Sequence, residues 1–427
     1  MPASNWCIGG ISHWRCANRD DDGAADGAAG LVCGPFQSKK GSFVIASNRN
    51  VDILIVGAGT YGLSCAWWMA KRRGGERIMV VDQGEFASGA TGRNGAGFRM
   101  QWGLEMNIRL CQESIRFFES AAEELDYPRG IELKQDGYLV LAHSEKAYGA
   151  LTSAVAAQHG LGVPSELLDA DDCVRMVPPL GRNRLVGGSY CAKDGTVSPF
   201  LWLDALLKAC RREKVEVRYG TRVHAIRKDG AGFHAKLNDD DVEAKRVLLC
   251  TDWAAPELLS ALDVELPVAS LPKEAIVTVP CEPRIKPILI SLEHHISVNQ
   301  ISRGSIIFVV SRHREGKETG STPDFLAFAA PKIVDLLPGV ADVSVLRTWG
   351  GVSSLTPDMQ PILGQTGVEG LYVAVSSYRG LMTSPAVGRM MSALILDDDT
   401  NDPILAKLGP RRFETGELIS EPLLNQE

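Results

Sequence analysis

The sequence predicts an α/β fold: a Rossmann-like dinucleotide-binding domain interleaved with a mostly antiparallel second domain. Three observations carry this expectation. The short apolar run Asp52-Ile53-Leu54-Ile55-Val56 opens directly into the glycine turn Gly57-Ala58-Gly59-Thr60-Tyr61-Gly62. A second apolar run, Arg77 to Val81, ends on Asp82. Between Ala275 and Val310, by contrast, alternating or continuously apolar segments follow one another without a helical period, the pattern of antiparallel strands.

Taken in order, residues 1–50 hold Asp20-Asp21-Asp22, many small residues and Cys33-Gly34-Pro35, and read as a flexible or partner-binding extension. Order begins at Val51. The first strand and its glycine turn lead into a helix over Leu63 to Arg73, and the strand Arg77 to Val81 completes a βαβ unit. Glu105 to Leu125 is amphipathic: Ile108, Cys111, Ile115, Phe118 and Ala122 recur at helical spacing, with Arg109, Glu113, Arg116 and Glu119 left for the wet face. Leu201 to Arg211 reads as a further helix. Val215 to Tyr219 is a strand, Val223 to Arg227 and Phe233 to Leu237 form a meander, and Arg246 to Cys250 is again a buried strand. Extended segments then run over Ala275 to Val279, Ile285 to Ser291, His295 to Ile301 and Ser305 to Val310. The expected division is a cofactor domain over 51–134, 185–270 and 345–400, a substrate domain over 135–184 and 271–344, and a C-terminal tail over 401–427.

Composition narrows the function classes. With 45% apolar and 23% charged residues, a chain of 427 residues can bury a sizeable core. A formal charge of -7 supplies no general attraction to nucleic acid or to an acidic membrane. No apolar run is long enough to span a bilayer, and the start lacks a basic region followed by an apolar core, so a cytoplasmic location is expected. Among the ten cysteines, Cys65, Cys111, Cys210 and Cys250 fall in core elements and read as reduced packing residues. Cys7, Cys16 and Cys33 are spaced too irregularly for a zinc or iron–sulfur signature, and no metal is expected.

The glycine turn has the chemistry of a pyrophosphate grip. Gly57 allows the abrupt strand-to-helix turn, Gly59 lets the backbone approach phosphate, and Gly62 lets the helix sit close to the sheet. The helix N-terminus then offers backbone donors to the anion. Asp82, 20 residues past Gly62, is placed to accept hydrogen bonds from the ribose hydroxyls. Such a grip accepts NAD or FAD. Two loops turn the reading toward FAD. Ser88-Gly89-Ala90-Thr91-Gly92-Arg93-Asn94-Gly95-Ala96-Gly97 follows the acidic strand end and can run alongside an extended cofactor. Near the other end, the strand Leu371 to Val375 leads through Ser376-Ser377-Tyr378-Arg379-Gly380-Leu381-Met382-Thr383 into an apolar helix, whose start can face negative charge developing at the flavin ring. Arg379 is a candidate for the reduced flavin or for a substrate carboxylate. Val223, at the head of the meander, is also assigned to the cofactor site.

Together these motifs resemble the D-amino-acid oxidase superfamily of FAD enzymes, and within it the beta subunits of sarcosine oxidase and dye-linked proline dehydrogenases. The resemblance runs from about Val51 to Leu394 and adds Thr356-Pro357-Asp358, Pro361-Ile362-Leu363-Gly364 and Gly370-Leu371-Tyr372 to the motifs above. It implies an FAD-binding domain coupled to an antiparallel substrate domain, and hydride transfer from an amine or amino-acid carbon to flavin N5. Imine hydrolysis would then yield a carbonyl product; from proline the immediate product would be a cyclic imine. The family's cofactor contacts fall on Gly57, Gly59, Gly62, Asp82, Thr91, Gly92, Arg93 and Asn94, with Thr356 to Asp358 and Gly380 to Thr383 at the ring end. Tyr61 belongs to the same turn. Some relatives attach FAD to a cysteine near the distal loop; Val375 to Arg379 offers none, so noncovalent FAD is expected.

The substrate side is less determined by pattern. A small secondary amine or amino acid, with proline and sarcosine foremost, calls for a cation near its carboxylate and a group that takes the amine proton. Arg99, Arg312, Arg347, His294 and His295 are the candidates, each also consistent with a folding ion pair or a satisfied surface residue. The catalytic set expected is His294, Arg347 and Tyr378, the last as a cap on the pocket. The competing reading is a noncatalytic electron-transfer or assembly subunit that keeps the FAD scaffold, with a redox or assembly partner.

Overall fold

In the computed structural model, the described residues are 49–423 apart from 239, 313 and 315. The expected extension over 1–50 therefore lies almost wholly outside them. Two eight-stranded sheets organise the chain. In the first, the order is Ile362–Gln365, Leu371–Val375, Asp241–Leu249, Arg49–Val56, Ile78–Val81, Glu216–Arg218. All neighbours from Leu371–Val375 onward are parallel, and Ile362–Gln365 closes the edge antiparallel. Because a parallel sheet is covered on both sides, its strands are apolar on both faces. Ile53 and Ile55 pack under the helices Thr60–Arg72, Glu105–Glu124, Pro199–Arg212 and Gly380–Asp397. Leu54 and Val56 face the other way, onto a cluster that includes the meander Ala225–Asp229 and Gly232–Lys236.

The second sheet runs Val345–Leu355, Ala269–Thr278, Ile306–Val310, Ile296–Gln300, Ile288–Ser291, Tyr138–Ala142, Gly187–Cys191, Ser165–Asp169. Every neighbour is antiparallel except Ile288–Ser291 with Tyr138–Ala142. This is a Rossmann-like FAD-binding domain plus a substrate-binding domain. Gly187–Cys191 and Val345–Leu355 run in the second sheet, although the ranges expected for the cofactor domain contain them; an apolar strand's sequence does not say which sheet it joins. The strict side-chain alternation of a strand splits this sheet into two faces. Leu289, Val298, Phe308 and Ile276 point into a core covered by the helix Phe325–Leu336. Ile290, Ser297 and Val309, paired in one row, point the opposite way.

The segment expected as a C-terminal tail is packed against the body through Leu423. Its helix Arg412–Thr415 sends the Arg412 guanidinium to Asp358, with Nε to Oδ2 at 2.8 Å and a second contact to Oδ1 at 3.1 Å. Glu421 is buried and accepts from Gly103 N at 2.6 Å and from Asn107 Nδ2 at 2.7 Å. No helix among the described residues is long and apolar enough to cross a membrane.

Candidate functional site

The glycine turn sits where the first parallel strand meets its helix. Gly57 takes φ 107°, and a Cβ there would collide with the Cys250 carbonyl; a Cβ at Gly62 would collide with the carbonyl of Gly57. Only glycine permits this closeness. Gly59 is the N-cap of the helix Thr60–Arg72. The helix start is pinned from three sides. Thr60 N donates to Thr91 Oγ1 at 3.2 Å, Trp202 Nε1 donates to Thr60 Oγ1 at 2.8 Å, and Tyr61 Oη lies 2.7 Å from Thr383 Oγ1. These contacts join the glycine turn, the Thr91 loop and the helix Gly380–Asp397, the three segments expected to share the cofactor.

Asp82 lies at the end of the second strand. Its carboxylate accepts from Ala58 N and Gly84 N, each at 2.8 Å, and burial raises its pKa above the ordinary carboxylate value against the pull of those two bonds. A carboxylate has about four acceptor positions, so ribose hydroxyls can still be received. Gly92 turns within the next loop, packed on the Ala87 carbonyl. Open phosphate-facing backbone at a helix start, an acid at the strand end and a small-residue loop between them fit an extended dinucleotide.

A cavity of about 390 Å³ continues from this turn to the second sheet. Gly59, Tyr61, Thr91, Arg93 and Asn94 border one end, and Tyr378, Arg379, Gly380, Leu381 and Met382 border the distal loop. Thr383 lies one turn deeper, bonded to Tyr61. The Val223 side chain packs with Met79, Val81 and Leu249 in the apolar cluster under the first sheet; like Gly57, Gly62, Asp82 and Gly92 it is outside the cavity lining. Arg93 is held in place by its bonds to the carbonyls of Ser88 and Gly350, both at 2.9 Å. Arg379 is buried and committed to Gln360 Oε1 at 2.9 Å and Met359 O at 2.6 Å, while its Nε has no partner. The Tyr378 hydroxyl is likewise buried without one.

The floor of the cavity is the free face of the antiparallel sheet: Ile290, Ser297, Val309, Asn299 and Ile307. Arg99 borders the cavity and is only 6% exposed. Its guanidinium stacks 4.1 Å from the Trp102 ring and 5.9 Å from the Tyr138 ring. Its Nε has no hydrogen-bond partner, and no carboxylate of the described residues forms an ion pair with it. Lys273 stands on the same sheet face, bonded only to Ser311 Oγ at 2.9 Å, and its burial lowers its pKa. Asp252 ties the sheets together beside the cavity, accepting from Ser376 N at 2.8 Å and from Ser354 Oγ at 3.1 Å.

The other candidates are placed elsewhere. Ser291 pairs with Ile296 on the core-facing side of the strand, and His294 goes with it: its Nδ1 is 2.8 Å from Ser291 Oγ and its ring meets that of His143 at 4.3 Å. Burial lowers the His294 pKa, so the ring is neutral near pH 7, but it is not a lining residue of the cavity. Arg347 is exposed near the start of an edge strand and stacks on Trp349 at 5.5 Å. Arg312 is taken up by Glu274 at 2.9 Å and Asp324 at 2.8 Å. Of the histidines named, His295 reaches the cavity, from the turn between two strands. Trp102, Lys273 and Asp252 were not singled out by pattern. An aromatic three residues after Arg99 is the one sequence signal that pointed to any of them.

Comparison with known proteins agrees with this geometry. Residues 52–394 match the family model described as FAD dependent oxidoreductase. Sarcosine oxidase subunit beta of Arthrobacter sp is 26% identical over 382 residues, covering 87% of this chain and 93% of that protein. A D-amino acid dehydrogenase of Rhizorhabdus wittichii is 26% identical over 76% of this chain and 90% of its own length. Among solved structures, L-proline dehydrogenase from P. horikoshii superposes with a TM-score of 0.81 at 26% identity, over 87% of this chain and 100% of that one. With the glycine turn and the distal helix start bordering one cavity, and the strand-end acid bonded to the backbone of that turn, the chain belongs to the FAD-dependent oxidoreductase family and is an FAD-using enzyme.

Proposed function

We propose that the protein oxidises a small secondary amine or amino acid, with proline and sarcosine as the first substrates to try. The observation that carries this reading is Arg99: a buried guanidinium that borders the cavity, stacked on Trp102 and without an ion-pair partner among the described residues. An unpaired buried cation is costly unless a ligand completes it, and a planar guanidinium matches a carboxylate in two places. The apolar floor of Ile290, Val309 and Ile307 suits a small aliphatic body, and Asn299 and Ser297 offer polar contacts beside it. Gly57, Gly59, Gly62, Asp82 and the Thr91 loop would hold the cofactor's nucleotide half, and Tyr378 to Met382 would border its ring. FAD, held noncovalently, supplies acceptance of a hydride from the carbon next to the substrate nitrogen. This chain's residues orient the substrate by its carboxylate, exclude water over the apolar floor, and place the helix start of Gly380–Asp397 near developing negative charge.

The sarcosine oxidase relatives are named as beta subunits, which supports assembly with a further subunit. The test is anaerobic mixing of the purified, FAD-loaded protein with proline and with sarcosine. Loss of the flavin's visible absorbance with a carboxylated amine, and not with the same amine lacking its carboxylate, is the expected result. No reduction by a broad amine panel, alongside rapid electron exchange with a partner protein, would favour the electron-transfer reading instead.

A further inference from the structure

Behind Arg99 lies a second buried ionisable group with no evident part in holding the cofactor. Asp194 occupies the turn between the strands Gly187–Cys191 and Gly195–Thr196 and is fully buried. Its Oδ1 accepts from Met100 N at 2.7 Å and its Oδ2 from Gln101 Nε2 at 2.9 Å. Gln101 in turn donates to Tyr138 O at 3.0 Å and accepts from Ser189 Oγ at 2.7 Å. Two strands of the substrate sheet thus clamp the backbone immediately after Arg99. The clamp holds the segment that carries both Arg99 and its stacking partner Trp102.

No Lys, Arg or His of the described residues makes an ion pair with Asp194. The groups that face it are Arg99, whose charge is felt but whose guanidinium is turned to Trp102, the thiol of Cys191, and more remotely Cys111, Tyr138 and Tyr190. Lys193, next along the chain, points outward near Glu119 at 4.0 Å. Burial pushes the Asp194 carboxyl up to about 7, opposed by the Met100 and Gln101 hydrogen bonds and by Arg99. Either protonation state keeps acceptor oxygens for both donors, so the clamp survives while the charge changes.

We propose that Asp194 is a positioning residue which clamps the Arg99–Trp102 segment and, by carrying or losing its charge behind Arg99, sets how tightly the cavity takes a carboxylate. The proposal rests on Arg99 being the carboxylate ligand. An ionised Asp194 offsets the guanidinium's field and repels the arriving anion; a protonated one leaves Arg99 uncompensated and ready for it. By linkage, carboxylate binding must then draw a proton onto Asp194.

The test uses the FAD-loaded protein and cyclopentanecarboxylate, a proline-sized monocarboxylate without an amine, so that no proton on the ligand confuses the profile. Binding is read from the flavin spectrum, and proton uptake from calorimetry in buffers of different ionisation enthalpy. In the wild type, affinity should fall about tenfold between about pH 6 and about pH 8, with a fraction of a proton taken up near neutrality. In Asp194→Asn the profile should be flat. Arg99→Met judges the underlying reading separately: it should lose the probe at every pH, and unchanged binding there would remove the carboxylate ligand itself. If Arg99→Met loses the probe but wild type and Asp194→Asn share one pH profile, the role of Asp194 is overturned and that of Arg99 stands. Should Asp194→Asn fail to fold, the wild-type calorimetry decides alone, since binding without proton uptake contradicts the proposal.

Discussion

At the glycine-turn end of the cavity the groups that face a ligand are mostly main chain, fixed by approaches that only glycine allows. At the sheet end they are side chains, standing on one face of an antiparallel sheet and on the Arg99–Trp102 segment. The first kind of site tolerates no added atoms but hardly depends on which polar residues lie nearby. The second depends on single side chains and on what braces them: Trp102 under Arg99, Asp194 and Gln101 behind it, Gln360 and Met359 on Arg379. Recognition of a common cofactor suits the first construction, and recognition of a particular substrate suits the second.

The contrast is broken most severely at the turn. Gly62→Ala would drive its Cβ into the Gly57 carbonyl and push the helix off the sheet, and should weaken FAD retention by at least about 100-fold, roughly 3 kcal/mol. Flavin absorbance of the purified variant checks this; full cofactor content would show that the helix start can shift without loss. Next comes the brace between the packed C-terminal helix and the loop at Asp358. The Arg412 and Asp358 side chains are 4% and 1% exposed, so Arg412→Met leaves a buried carboxylate unpaired and should cost about 3–5 kcal/mol in denaturant unfolding. A loss below about 1 kcal/mol would mean that the loop's own hydrogen bonds suffice.

Arg99→Met should raise KM for a carboxylated amine about 100-fold, on the order of 2–5 kcal/mol of lost pairing, with FAD content unchanged. A parallel loss of FAD would merge the two ends of the cavity into one unit and undo the comparison. The smallest effects belong to His294→Gln and Arg347→Ala. With His294 in the turn after Ile288–Ser291, held against Ser291 and His143 and outside the cavity lining, and Arg347 exposed, turnover should stay within about twofold of wild type and the pH–rate profile should keep its shape. A shifted profile in His294→Gln would restore that ring to proton handling.

The elements on the page in sequence were those whose signal is local. The strand ending at Val56, the helix over Glu105–Glu124 and the strand Leu371–Val375 could be read because apolar periodicity and glycine placement act within a few residues. Arg347, on an edge strand, and His294, in the turn that follows Ser291, show the limit. In a strand a step of one residue reverses the face, and pattern alone does not say which face looks into the cavity; the pairing of Ile290 with Ser297, and of Ser291 with Ile296, does. Lys273 and Asp252 were missed for a related reason, since nothing in their immediate sequence marks them apart from any Lys or Asp near a strand.

Legible in the chain before any folding were the glycine grip, the acid at the second strand's end, and the small-residue loops on either side of the cofactor path. These are consequences of backbone conformation and close approach, and backbone constraints are written in which residues are glycine and where apolar runs stop. It took long-range packing to leave Arg99 a buried cation without an ion pair among the described residues, to spend Arg312 on Glu274 and Asp324, and to put Arg347 outside. A charge's role depends on its partners and its burial. Both are settled by contacts between residues far apart in the chain, which no local pattern records.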